Sequence, residues 1–113
     1  MEIWSYEEAN EIVRENFNQS LALGLNIVQS VERALYEFET VMEENEIEKL
    51  MIYIILTKLG VEHNEVRPDI CDEFFRLTET HTLLQILNQF DNTELNIVKK
   101  EIDELRRRLL KEI

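Results

Sequence analysis

Two glycines and one proline in 113 residues leave this chain few places to turn tightly, which excludes a sheet protein built from short hairpins. A single cysteine, Cys71, cannot form an internal disulfide, so a stapled secreted scaffold is excluded and a reducing cytosol is the expected setting. The opening Met1-Glu2-Ile3-Trp4 has no positive stretch followed by an apolar one, so no signal peptide is expected. The longest apolar run, Leu50 to Leu56, falls far short of the roughly 20 residues that a membrane helix needs. Bases are scarce too, 12 against 24 acids, for a formal net charge of -12. The shortage is uneven: residues 1–80 hold 18 acids and 6 bases, whereas residues 81–113 hold six of each. A field of that sign repels nucleic acid and anionic membrane and attracts basic partners.

What is present is apolar residues at helical spacing. Hydrophobic residues make up 44% of the chain and are periodic, so an acidic disordered tail is a poor reading and one domain over residues 1–113 is expected. Ser5 with Glu8 has the form of a capping box, followed by Ala9, Ile12, Val13, Phe17 and Leu21, which predicts a helix over about 6–20. Gly24 then supplies a turn. Asn26 with Gln29 caps a second helix, expected to run unbroken through Met42, with Ile27, Val31, Ala34, Leu35, Phe38, Val41 and Met42 on one face. Asn45 with Glu48 caps a third at about 46–60, whose run Leu50-Met51-Ile52-Tyr53-Ile54-Ile55-Leu56 is apolar all round, the mark of a central helix. Pro68 suits the first turn of a fourth helix with Ile70, Phe74 and Leu77 on one side. A short helix from Thr80 or Thr82 through Phe90 follows. A last one is capped by Asp91 with Glu94 and carries Leu95, Val98, Ile102, Leu105 and Leu109. The expected fold is all-α, a single-domain bundle of five to six helices around the central one.

Few residues carry chemistry. His63 and His81 are too few and too far apart for a metal site, and no Glu-x-x-His pair occurs. Cys71 adjoins the Ile70 and Phe74 stripe and reads as a buried thiol. Asp69, Asp72 and Glu73 complement the dipole at a helix start, and Arg106-Arg107-Arg108 complement it at a helix end. No catalytic group, metal or cofactor is expected. The second helix differs: at 100° per residue Tyr36 points away from the apolar face, flanked by Glu32, Glu39 and Glu43. Two readings stand open there, a solvated face whose aromatic a neighbouring helix covers, or a binding hot spot ringed by charge. Glu7, Glu11 and Glu15 line the outward face of the first helix in the same way, while Tyr6 points inward.

The segments Ile3-Trp4-Ser5-Tyr6-Glu7-Glu8, Gly24, Ala34, Tyr36-Glu37-Phe38-Glu39 and the acidic turn from Glu43 to Glu48 resemble the small helical immunity proteins of bacterial polymorphic-toxin systems. The resemblance covers about the first 60 residues. It implies a cytoplasmic inhibitor that binds a cognate protein toxin, often over its active site, and needs no cofactor. The charge independently fits a basic target such as a nuclease. The expected partner surface comprises Glu32, Tyr36, Glu39 and Glu43, with Glu7 and Glu11 next. The chain is expected to act as a monomer that binds neither nucleic acid nor membrane, and not as an enzyme. The main rival is a helical regulatory or structural module that self-associates through residues 94–113, and a metal-dependent enzyme comes third.

Overall fold

A computed structural model describes residues 4–90 and 92–111, and among them the chain is helical throughout, with no strand. Its elements are α1 (Tyr6–Ala22), α2 (Ile27–Glu37), α3 (Glu39–Glu44), α4 (Glu46–Glu62), α5 (Pro68–Leu77), α6 (Thr80–Leu87) and α7 (Asn92–Lys111). The caps read from the sequence start three of them. Ser5 Oγ accepts the Glu8 N–H at 3.1 Å, Asn26 and Gln29 form a reciprocal capping box, and Asn45 Oδ1 accepts from the N–H groups of Ile47 and Glu48. Pro68 opens α5, where its missing N–H has no helical partner to lose. The expected cap of α7 at Asp91 lies outside the described residues, and the Glu94 carboxylate accepts the Tyr6 N–H at 2.8 Å.

Left-handed residues close α1 and α4 in the same way. After α1, Gly24 takes φ +92°, its N–H reaches Leu21 O at 3.0 Å and the Leu25 N–H reaches Ser20 O at 3.1 Å, the paired bonds of a Schellman turn. Expected to end near Gly60, α4 instead runs two residues further, and Asn64 at φ 55° makes the turn, with bonds from Asn64 to Val61 O and from Glu65 to Gly60 O. Gly60 has a different job. A β-carbon there would sit 3.2 Å from the Val66 Cα and 3.3 Å from Glu65 O, so its bare backbone is what lets the returning loop lie against α4.

The second helix is not continuous as the spacing predicts. It breaks at Phe38 (φ -101°, ψ 10°) into α2 and α3, which raises the number of helices among the described residues to seven. The two pieces have different neighbours: α2 packs chiefly on α1 and α3 on α4. A straight helix of that length cannot follow both surfaces, so tertiary packing overrides a continuous local pattern. Trp4 meets Phe38 at the break, its ring edge-on at 6.0 Å.

Central α4 packs against α1, α3, α5, α6 and α7. Its Leu50, Met51, Ile52, Ile54, Ile55, Leu56 and Leu59 are all buried, as a helix with no polar face requires. Val98, Ile102, Leu105 and Leu109 of α7 join the same core, with Leu95 packed against it.

Candidate protein-binding surface

The surface charge is decided by what the few bases do. All six bases of residues 1–80 are held within the molecule. Arg14 forks onto Glu62 at 2.9 and 3.0 Å, Lys49 and Arg76 share Glu73, and Lys58 bridges to Glu101 at 3.0 Å. Arg67 clamps Asp69 and lies 3.6 Å from Glu32, and Arg33 donates to the buried Ser20 Oγ. These contacts hold two carboxyls below the usual carboxylate range. Hydrogen bonding from Arg14 depresses Glu62, and hydrogen bonding from Arg76 depresses Glu73.

Most of the remaining acids of residues 1–80 face water without a basic partner among the described residues, whereas Glu48 is buried and accepts the Trp4 N–H. Nine of them form two groups, Glu7, Glu8, Glu11 and Glu15 along α1, and Glu37, Glu39, Glu43, Glu44 and Glu46 from the end of α2 to the start of α4, while Glu65, Asp72 and Glu79 stand apart. Tyr36 stands beside the second group and is 78% exposed, the largest exposure of any big apolar side chain described. No neighbouring helix covers it. Glu39 and Glu43 lie beyond the break at Phe38, on α3, whereas Glu32 and Tyr36 are on α2. Glu32 differs from the others because Arg67 partly neutralises it, a contact across 35 positions that helical spacing cannot reveal.

The other residues with chemistry are accounted for by structure. His63 caps α4 and leans on the Phe17 ring at 5.3 Å, and both histidines are exposed. Cys71 is half-buried and not buried as its stripe position predicts, and desolvation, helped by Asp72, pushes its thiol pKa up and keeps it protonated. Arg106 donates to Thr78 Oγ1 at 2.8 Å and lies over the Phe75 ring, joining α7 to α5. Among the described residues no group of three His, Cys, Asp or Glu side chains is placed to hold a metal, and no helix is long and apolar enough to cross a membrane.

The described surface is acidic and helical, with Tyr36 its most exposed aromatic side chain. The comparison with family models decides what it belongs to, because the model of immunity protein Imm3 matches residues 2–112. The chain belongs to the Imm3 immunity protein family. The match extends the resemblance read from the first 60 residues over nearly the whole chain. The comparisons with curated proteins and with solved structures found no match. Membership of an immunity protein family implies a cognate toxin as partner.

Proposed function

We propose that this immunity protein neutralises a toxin with a basic surface, such as a nuclease, by electrostatic steering followed by steric occlusion, with Tyr36 as anchor and Glu39 and Glu43 as its charge partners. The observation that carries the reading is the uncovered Tyr36 beside a run of exposed acids that no base among the described residues pairs. Interfaces favour such an aromatic, because a tyrosine ring gives a large contact at little entropic cost while the charges around it select the partner. Glu32 contributes less than its position implies, since binding through it must compete with Arg67. Glu7 and Glu11 on α1 form the reserve surface.

We read the active form as a monomer. The α7 stripe that self-association would use is instead buried in the chain's own core, with Val98, Ile102, Leu105 and Leu109 all covered. The test is a binding titration against the toxin encoded by the neighbouring gene. Tyr36→Ala should weaken affinity by about 2 kcal/mol or more, with helicity unchanged. If Tyr36→Ala and the double change Glu39→Lys with Glu43→Lys both bind and protect like the native chain, the interface lies elsewhere.

A further inference from the structure

Where the start of α1 meets the start of α4 and the turn between α6 and α7, the surface folds into a cleft of about 230 Å³. That volume is below the roughly 300–1,000 Å³ of small-molecule sites and suits a single inserted side chain. Two aromatic residues, Trp4 and Phe90, line it together with Glu8, Gln89 and Glu94, the last already engaged by the Tyr6 N–H. The buried Ile47 contributes an apolar wall. Aromatic rings attract a cation through their quadrupole, and the exposed Glu8 carboxylate completes its hydrogen bonds, so the lining is chemically matched to an ammonium or guanidinium on an apolar stem. It is mismatched to an anion, which the Glu8 carboxylate repels. The Trp4 ring also meets Phe38, which stands between Glu37 and Glu39 at the α2–α3 break.

We propose that this cleft is a receptor for one lysine or arginine side chain of the toxin. The inserted residue would stack on Trp4 and Phe90 and be fixed by the exposed carboxylate of Glu8. This rests on the reading that the toxin is basic, though not on Tyr36 being its anchor. A pocketed, partly desolvated cation contributes more than one at an open rim, so the cleft supplies the register that the diffuse acidic field lacks.

Trp4 is the chain's one tryptophan, which makes the cleft directly observable. The full chain is labelled with 5-fluorotryptophan, which gives a single fluorine resonance, and titrated with unlabelled toxin. The resonance should shift in step with binding. Glu8→Lys, which places a cation at the cleft, should weaken binding by about tenfold or more. Glu65→Lys makes the same charge change on an exposed residue past the opposite end of α4, and should have a much smaller effect. An unmoved Trp4 resonance at saturation overturns the proposal, and so do equal losses from Glu8→Lys and Glu65→Lys. If Tyr36→Ala binds normally while the resonance still shifts, the cleft stands and the α2–α3 face fails; an unmoved resonance with binding that depends on Tyr36 gives the converse.

Discussion

Tyr6 and Tyr36 are the same side chain in opposite circumstances, and the difference makes predictions about each. Tyr6 is buried, its phenol oxygen has no hydrogen-bond partner among the described residues, and burial, aided by the charge of Glu101, drives its pKa far above the usual phenol range. An unpaired buried hydroxyl costs about 1–3 kcal/mol. Tyr6→Phe should therefore raise the unfolding free energy in urea by about 1 kcal/mol, whereas Tyr36→Phe should leave it unchanged; a loss of stability in Tyr6→Phe would mean that the hydroxyl has a partner after all. The Arg14–Glu62 pair gives a second test. Glu62 has a depressed pKa in the folded state, so the unfolded chain binds protons more readily and the pair's contribution is present above the unfolded value of about 4.3, vanishing as pH falls through the lower folded value. Glu62→Gln should flatten the fall in stability on acidification below about pH 4.3, as measured by urea midpoints across that range. The inward and outward tyrosines were legible from helical angle alone, because each is a property of one helix. The Arg67–Glu32 contact was not, because it depends on how a loop and a helix far apart in the chain are brought together.

At the scale of elements, α4 carries the molecule. Leu56 is 1% exposed and Leu110 is 61% exposed, so truncating the first removes contacts on every side and leaves a cavity, while truncating the second removes little. Leu56→Ala should cost about 2–5 kcal/mol and Leu110→Ala no more than about 0.5 kcal/mol, read as denaturant midpoints. Equal effects would mean that α4 is not central. Its central place was legible because a run with no polar face has only one stable position, inside. The break at Phe38 was not legible: no glycine or proline marks it, and the apolar spacing runs straight through. Its cause is the change of neighbour from α1 to α4, a fact about the assembled bundle and not about the segment. The left-handed turn at Asn64 was hidden for a related reason, since Gly60 looked like the stop but was needed for the close approach of Val66.

At the scale of the whole molecule the charge deficit becomes a kinetic property. With the six bases of residues 1–80 held in internal contacts, the acids of α1 and of the α2–α4 stretch that have no basic partner among the described residues project a negative field. Such a field accelerates the encounter with a basic partner, and ions screen it over about 10 Å at 0.1 M salt and about 30 Å at 0.01 M. Contacts made after docking are shorter than either length, so salt acts on association and much less on dissociation. Stopped-flow mixing with the toxin at low and near-physiological salt should show an association rate that falls steeply as salt rises, with a dissociation rate that barely moves. Glu39→Lys with Glu43→Lys changes the net charge by four units on the exposed face of α3, so it should slow association and flatten its salt dependence. Tyr36→Ala changes no charge, so it should leave the association rate and its slope in place and speed dissociation. If salt does not change the native rate, the toxin presents no basic surface to this protein and steering is the wrong mechanism. If salt does change it but the lysine pair behaves like the native chain, the steering field belongs to Glu7, Glu8, Glu11 and Glu15 on α1, and that helix is the face that meets the toxin first.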